Sequence, residues 1–320
     1  MQRETILVIG ANGQIGTALL PELQVQFGVN QVIAADLRKP SSETGLFEVL
    51  DATKPDALTD IVRRYRVTQI YHLAAILSAK GESDPLWAWN LNMQTALNVL
   101  EVSRLHNIRK LFIPSSIAAF GEHAPKYETP QTAILDPATV YGISKVAAEN
   151  WSLYYHKRYG LDVRSVRYPG VISHQSMPGG GTTDYAVAIF HEAVQGRSFE
   201  CFLEKDTRLP MIYMDDALRA TLELMDAPES QISVRTSYNL AGMSFTPAEL
   251  TESIQAYFPN FVTQYKPDFR QAIAESWPKT IDDSVARQDW GWKAAFDLPR
   301  LTHEMITHLT AVYQPMVSTL

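Results

Sequence analysis

An α/β fold with a doubly wound parallel sheet, followed by a smaller C-terminal region, is the architecture that this sequence predicts. From the first residues onward, short apolar runs alternate with longer amphipathic stretches, which is the pattern of repeated strand–helix–strand units. A glycine-rich turn from Gly10 to Gly16 joins the first apolar run to the first amphipathic stretch. After about residue 169 the chain becomes irregular, with glycine and proline between short elements.

Buried strands are predicted where an apolar run is short and bounded by turn residues. They are Ile6–Ile9, Gln31–Ala35, Gln69–Leu73, Lys110–Ile113 and Val163–Val166. Helices are predicted where apolar residues recur at helical spacing between these runs. They are Gln14–Phe27, Pro55–Arg66, Leu86–His106 and Tyr141–Tyr159. Right-handed crossovers would then place helices on both faces of the sheet.

The irregular C-terminal part is expected to cover a substrate. Its predicted helices are Thr183–Gln195, Asp215–Met225, Pro247–Tyr257 and Leu298–Val312. Residues 1–168 are therefore expected to form the core domain. Residues 169–320 are expected to be mainly a substrate-binding region, with some elements returning to the core.

Composition argues against several classes of function. The 320 residues are 46% hydrophobic, as in ordinary globular proteins, and the net charge of −7 offers no basic surface to nucleic acid. Cys201 is the sole cysteine, which allows no internal disulfide and no cysteine metal cluster. No apolar run approaches the ~18 residues of a membrane span, and Met1–Thr5 leaves no room for a signal peptide before the first strand. We expect a soluble, cytoplasmic protein without a nucleic-acid or membrane partner.

The glycine-rich turn predicts a dinucleotide site. It follows a strand and opens a helix, so backbone N–H groups can approach a pyrophosphate there. Asp36 ends the second strand, where a carboxylate can accept hydrogen bonds from both ribose hydroxyls and repel a 2′-phosphate. This favours NAD, although Arg38 and Lys39 are residue types that serve an NADP phosphate. The alternative is that the glycines only let the helix pack close to the strand.

Asp51, followed by Ala52, ends the next apolar run. The end of a parallel strand beside the glycine turn is a place where an adenine amino group can be bound. An aspartate there is equally suited to capping the loop, and the spacing does not separate the two.

Tyr141 and Lys145 predict acid–base chemistry. They are one helical turn apart, so their side chains can share a ligand on one face of the predicted helix. A free phenol has a pKa of about 10, so a phenolate near neutral pH needs a nearby positive charge, which Lys145 can supply. In isolation the pair is also compatible with an ordinary surface helix. The upstream glycine turn and the Ser115-Ser116 pair after the strand Lys110–Ile113 favour an active site.

In this order the motifs resemble those of the extended short-chain dehydrogenase/reductase family, whose members have a Rossmann core. The resemblance covers most of the first 170 residues. Its motifs are the glycine turn, His72–Ala75, Ser115-Ser116 before Ala119–Gly121, Tyr141 with Lys145, and Arg167–Gly170. It implies that Tyr141 accepts the proton, that Lys145 binds the nicotinamide ribose, and that Ser116 orients the substrate oxygen, with Ser115 as the alternative.

The same resemblance implies which residues line the NAD site. They are Gly10, Asn12, Gly13, Gln14, Ile15, Gly16, Asp36, Leu37, Arg38, Asp51, Ala52, Leu73, Ala74, Ala75, Asn92, Tyr141, Lys145, Tyr168 and Val171.

Three further segments, 75–82, 178–185 and 276–283, are similar to the short-chain-type L-threonine 3-dehydrogenases within that family. This likeness implies oxidation of the L-threonine 3-hydroxyl to 2-amino-3-oxobutyrate. The implied substrate pocket is lined by Ser78, Ser115, Ser116, Tyr141, Gly180, Thr182 and Trp277. Taken singly, Ser78 and Thr182 are also compatible with helix caps and Trp277 with a core aromatic. Successive glycines within Pro178–Thr183 are expected to hinge this loop over the substrate.

Other candidate residues receive simpler interpretations. His72 ends a buried run and is expected to be packed, and we predict no metal site. Asp215 and Asp216 precede a helical run and are expected to cap it. The stripe of Trp87, Trp89 and Leu91 is expected to be core, partner contact or both, since the resemblance implies a homodimer built from this helix and the Tyr141 helix.

Two rival functions share part of this pattern. A sugar-nucleotide epimerase or dehydratase would use the same Tyr/Lys pair and would need cations for a diphosphate, for which Arg208, Arg219 and Arg287 are candidates. A non-catalytic dinucleotide sensor would keep the glycine turn but would have no use for Tyr141 and Lys145 together.

Overall fold

The computed structural model describes residues 4–40, 45–177 and 179–317. Strands β1 to β14 are, in order, Ile6–Ile9, Val32–Asp36, Leu46–Val49, Gln69–His72, Lys110–Phe112, Ser115–Ser116, Val163–Arg164, Val166–Tyr168, Gly170–Ile172, Phe199–Cys201, Leu209–Tyr213, Tyr238–Asn239, Met243–Phe245 and Thr263–Tyr265. Helices α1 to α11 are, in order, Gln14–Phe27, Pro55–Tyr65, Ser78–Gly81, Pro85–Leu105, Val140–Tyr159, Tyr185–Val194, Met214–Asp226, Pro247–Gln255, Arg270–Ser276, Ser284–Trp290 and Leu298–Val317.

A six-stranded parallel sheet forms the centre of the molecule, in the order β3-β2-β1-β4-β5-β7. Strand β1 pairs with β2 on one side and β4 on the other, with Ile6 opposite both Val32 and Gln69. The strand order therefore reverses at β1, and in open α/β sheets a ligand crevice lies beyond the strand ends at such a point. The predicted doubly wound parallel sheet is confirmed.

Helices cover both faces of the sheet. On one face, α2, α4 and α5 bury side chains such as Leu58, Leu100 and Tyr155 against the strands. On the other face, α1 packs with α7, as Leu23 and Leu224 show. Since α7 follows residue 169, the C-terminal half of the chain contributes to the packing of the core.

A separate apolar cluster holds the C-terminal region together. It combines α6, α8 and α11 with the side chain of Trp277. This cluster also includes Ile117 and Phe120, which follow strand β6. The C-terminal region is therefore packed against the segment that carries Ser116.

Two sequence expectations in this part of the chain are wrong. The run Val163–Val166 is two strands rather than one, because the backbone changes its pairing there. Val163 pairs with Leu111 in the central sheet, whereas the Ser165 carbonyl already accepts the N–H of Tyr238 in a small sheet. Asp216 does not cap α7. Its carboxylate instead accepts the backbone N–H groups of Ala295 and Phe296.

Helices α3, α9 and α10 were not predicted, because they span four to seven residues and show little periodicity. None of the helices within the described ranges combines the length and the apolar character that a membrane crossing requires.

Candidate active site

The glycine turn brings three stretches of backbone together at the end of β1. Gly10 has a φ of +84°, and a Cβ there would lie 2.6 Å from the backbone nitrogen of Ala74. A Cβ on Gly16 would lie 2.4 Å from the Gly10 carbonyl oxygen. Larger residues are therefore excluded, and the N-terminus of α1 stays open to a ligand, as a bound pyrophosphate requires.

Asp36 stands at the end of β2, and its carboxylate accepts backbone N–H groups of Asn12 at 2.9 Å and Leu37 at 2.7 Å. The Asn12 side chain donates to the Arg38 carbonyl, which closes the β2 loop over the glycine turn. The Asp36 carboxylate thus borders a cavity beside the turn. Lining residues of that cavity include Gly10, Asn12, Gly13, Asp36, Leu37, Asp51, Ala52, Leu73, Ala74 and Ala75.

Asp51 fixes its own loop, and its position also leaves the proposed contact with adenine open. It lines the same cavity, and its carboxylate accepts the N–H and hydroxyl of Thr53 at 3.0 and 2.7 Å. These hydrogen bonds lower the pKa of Asp51 and fix the loop before α2. An Asp36 carboxylate for the ribose, an open helix N-terminus and a cavity beyond them fit the adenosine half of NAD.

A second cavity continues the first, since Leu73 and Ala75 line both. Most of the residues that were predicted to bind the substrate or to take part in the reaction line this second cavity. Predicted residues in its lining are Gln14, Ile15, Ser78, Ser115, Ser116, Tyr141, Lys145, Tyr168, Val171, Thr182 and Trp277.

Helix α5 carries Tyr141 and Lys145 into this cavity. The Thr139 hydroxyl caps its N-terminus by accepting the N–H of Gly142 at 3.1 Å. A Cβ on Gly142 would lie only 2.1 Å from the Ala118 carbonyl oxygen, so glycine is required for this approach. The start of α5 therefore packs directly against the segment after Ser116.

Ser116, rather than Ser115, meets the phenol. The Ser116 hydroxyl is hydrogen-bonded to Tyr141, which lowers the phenol's pKa. The Ser115 hydroxyl instead donates to Glu149 at 2.6 Å.

The electrostatics differ from the sequence expectation for Tyr141. Burial outweighs the Ser116 hydrogen bond and raises the pKa of Tyr141 to about 12. Lys145 donates to the Pro114 carbonyl at 2.8 Å, and its Nζ lies 5.4 Å from the centre of the Tyr141 ring. Burial also lowers the pKa of Lys145 to about 8, against the opposing charge of Glu149. Lys145 alone does not produce a phenolate in this state.

The structure brings together three of the side chains proposed for the substrate pocket, Ser78, Thr182 and Trp277. The hydroxyls of Ser78 and Thr182 lie 3.3 Å apart, and both residues are buried. Trp277 is buried as well and lines the same cavity. Gly180 lies outside the lining, and its neighbour Gly181 takes that place.

Asp184 lines this cavity and is a residue that sequence reasoning missed. Its carboxylate accepts the N–H groups of Gly180 at 2.7 Å and Gly181 at 2.8 Å, which fixes the glycine loop. Burial raises its pKa despite these bonds. An acidic residue just before α6 resembles a helix cap, so the sequence alone gave no reason to select it. Pro178, the first residue of the proposed lid, lies outside the described residues.

Asn92 supports the site from behind. Its amide oxygen accepts the N–H of Ile76, and its amide nitrogen donates to the Ile76 carbonyl and the Ser144 hydroxyl. These contacts fix the loop after β4. Asn92 itself is not among the residues that line either cavity. His72 is buried nearby, and burial together with the charge of Lys145 lowers its pKa to about 3, so its imidazole is neutral.

Residues 6–241 match the family model described as the NAD dependent epimerase/dehydratase family. The chain belongs to this family. Mitochondrial L-threonine 3-dehydrogenase of Bos taurus is 49% identical over 308 residues, which are 95% of this chain and 82% of that protein.

Two solved structures are similar to this family member along nearly its whole length. The holo form of a GalE-like L-threonine dehydrogenase from Cupriavidus necator is 53% identical, with a TM-score of 0.94 over 95% of this chain and 99% of that one. A monomeric L-threonine 3-dehydrogenase from a metagenome is 47% identical, with a TM-score of 0.94 over 96% and 99%.

Asp36→Ala is expected to weaken the binding of NAD and to reduce the preference for NAD over NADP. The substitution removes both the proposed hydrogen-bond acceptor for the ribose and the charge that would repel a 2′-phosphate. Loss of hydrogen bonds to a charged group should raise the KM for NAD by roughly tenfold or more. Steady-state kinetics with both cofactors would measure this, and Asp36→Asn would separate the charge from the shape. Equal use of NAD and NADP by the unmodified protein would contradict the assignment.

Proposed function

We propose that this protein oxidises the 3-hydroxyl of L-threonine to 2-amino-3-oxobutyrate with NAD. The observation that carries the proposal is one cavity whose lining includes the paired Ser78 and Thr182 hydroxyls, Tyr141 and Trp277. This cavity adjoins the one that fits the adenosine half of NAD. The likeness to threonine dehydrogenases at about half of all positions supports the same substrate.

The proposed reaction assigns each cavity residue a task. Tyr141 takes the hydroxyl proton, and Ser116 holds the substrate oxygen within reach of the phenol. Lys145 binds the ribose and contributes positive charge. NAD, when bound, accepts the hydride and adds the positive charge of its nicotinamide, which favours the phenolate that burial alone disfavours.

Recognition of the amino acid is assigned to three other residues of the cavity lining. Ser78 and Thr182 supply hydroxyls for its polar groups. Asp184 supplies a carboxylate that can bind the substrate ammonium, and the same carboxylate holds the glycine loop in place.

The rival epimerase reading finds less support. Arg208 is bound to Glu249, Arg219 to Asp216, and Arg287 to Asp283. None of the three arginines lines the cavity of Tyr141, so they are badly placed for a sugar-nucleotide diphosphate there. A dinucleotide sensor would have no use for the partly buried group formed by Tyr141, Lys145 and Ser116.

A homodimer is proposed through the exposed faces of α4 and α5, which pack side by side. These faces present Leu86 at 76%, Trp87 at 43%, Ile143 at 47%, Trp151 at 40% and Tyr154 at 48% exposure. Several exposed apolar side chains on two neighbouring helices are typical of an interface. We also propose the division at residue 168 into core and substrate-binding regions, and a cytoplasmic location stays a prediction.

The decisive assay follows NADH formation with L-threonine, D-threonine, L-serine, simple secondary alcohols and UDP-sugars offered separately. L-threonine should be the best substrate. Tyr141→Phe should lower kcat by at least ~10²-fold, because it deletes the acid–base oxygen and retains the ring. NAD affinity should change little.

The pH profile gives the same assignment a second test. The pKa of Tyr141 lies near 12 before the cofactor binds, so activity should rise with pH as the phenol ionises. That limb should vanish or shift in Tyr141→Phe. Near-normal turnover by this variant with intact NAD binding would remove Tyr141 from the mechanism.

Thr182→Ala should raise the KM for L-threonine about tenfold, because the pairing with Ser78 and one substrate hydrogen bond are lost. Thr182→Ser keeps the hydroxyl and is the matched control. Asp184→Asn should raise the KM for L-threonine more than the KM for 3-hydroxybutyrate, because 3-hydroxybutyrate lacks the ammonium group. Unchanged kinetics with L-threonine in Thr182→Ala and Asp184→Asn would show that the pocket assignment is wrong.

Trp151→Glu should convert the dimer to a monomer, because it places a charge in the proposed apolar interface. Sedimentation equilibrium would give the mass of both proteins. Tyr127→Glu is a suitable control, since Tyr127 is 61% exposed and lies outside α4 and α5. A monomeric unmodified protein would contradict the dimer and leave the dehydrogenase proposal intact.

A further inference from the structure

Helix α5 carries a buried carboxylate that the proposed chemistry does not use. Glu149 lies one turn beyond Lys145 and two turns beyond Tyr141, so the three side chains follow one face of the helix. Its exposed fraction is 3%. A carboxylate at such a depth is costly unless its oxygens are bound, so its partners indicate what it is for.

Both oxygens of Glu149 are bound to elements that build the active site. Oε1 accepts the Ser115 hydroxyl at 2.6 Å and the Arg167 Nε at 3.0 Å, and Oε2 accepts Arg167 Nη2 at 2.8 Å. Arg167 is itself buried and belongs to β8, the strand that leads into the cavity wall at Tyr168. Glu149 therefore connects α5 to both β6 and β8.

The Ser115 contact has a direct bearing on the catalytic pair. Ser115 lies between Pro114 and Ser116 in the chain. The Pro114 carbonyl accepts a hydrogen bond from the Lys145 ammonium, and the Ser116 hydroxyl is hydrogen-bonded to Tyr141. Fixing Ser115 to α5 thus fixes the two backbone positions that hold these partners.

We propose that Glu149 is a positioning residue, which locks the 114–116 segment to α5 through Ser115 and locks the cavity wall through Arg167. The inference rests on the proposed dehydrogenase function and adds a residue that touches neither substrate nor cofactor.

Arg167 extends the connection to the C-terminal half of the chain. Its Nη1 donates to the Asn239 side chain at 2.9 Å, and Asn239 donates in turn to the carbonyls of Thr129 and Asp282. Asp282 belongs to the same segment, 276–283, as Trp277 of the cavity lining. One hydrogen-bond network therefore joins α5 to the segment that carries Trp277.

The charge of Glu149 adds an electrostatic component to this geometry. Arg167 on β8 is its ion-pair partner, and its charge also acts on Lys145 on α5. Lys145 in turn lies near the Tyr141 ring and acts on His72 on β4, which stays neutral. The negative charge raises the pKa of Lys145 against the effect of burial. Removing that charge should make Lys145 lose its proton at lower pH.

Glu149→Gln and Ser115→Ala test the two parts of the proposal. Glu149→Gln keeps the shape and deletes the charge, whereas Ser115→Ala deletes the link without touching the buried ion pair. Ser152→Ala is the control, because Ser152 is a buried serine on the same helix whose hydroxyl only meets the Ala148 carbonyl. If Glu149→Gln does not fold, Ser115→Ala still carries the test.

Both variants should lower kcat for L-threonine about tenfold or more, with a smaller change in the KM for L-threonine. In Glu149→Gln the fall in kcat/KM that accompanies loss of the Lys145 proton should also begin at lower pH. Affinity for ADP, measured by calorimetry, should be unchanged because ADP fills only the adenosine half. The control should match the unmodified protein in all three measurements.

A readout without turnover separates this inference from the proposed function. NMR of protein labelled with [ε-¹³C]lysine, assigned with Lys145→Met, should show the pKa of Lys145 lower by about one unit in Glu149→Gln. Failure of the unmodified protein to oxidise L-threonine would sink the proposed function but not this shift. An unchanged pKa together with an unchanged kcat in both variants, even with a lower Tm, would mean that Glu149 only stabilises the fold and would overturn the inference.

Discussion

The contact between the start of α5 and the segment after Ser116 is the constraint on which the active site depends. The Ala118 carbonyl occupies the space that a Cβ on Gly142 would need, so a glycine next to Tyr141 sets how close the helix can come. At that distance the phenol meets Ser116 and the ammonium reaches Pro114. Packing of the backbone therefore sets the positions of the reactive groups.

The same close packing has an electrostatic cost. Burial pushes the pKa of Tyr141 up and that of Lys145 down, which moves both groups away from the charged forms that the reaction uses. In the proposed reaction, the positive charge of a bound nicotinamide would favour ionisation of the phenol, so removal of the proton would be favoured when the hydride acceptor is present.

The core half of the fold could be predicted because its signals are local. Strand β1, the glycine turn and helix α1 follow from apolar runs and glycine spacing, and Tyr141 with Lys145 from helical periodicity. The role of Asp184 could not be predicted in this way, since its carboxylate acts on backbone N–H groups of the preceding loop. The lowered pKa of Lys145 could not be predicted either, because desolvation depends on the surrounding packing and not on spacing along the chain.

Thr182 and Trp277 show why the substrate end is harder to read than the catalytic end. They are distant in sequence and come together only because the cluster of α6, α8 and α11 packs against Ile117 and Phe120, directly after Ser116. The proposed chemistry therefore belongs to the sheet and α5, while the proposed contacts of Thr182 and Trp277 belong to segments held by a second core. Such a division would let these contacts vary with little effect on the Tyr141 geometry, since the two parts meet mainly at the surface of Ile117 and Phe120 and through the Arg167–Asn239 network. Substrate identity in this family must therefore be argued from those segments, and the Tyr/Lys pair argues only for chemistry at a hydroxyl.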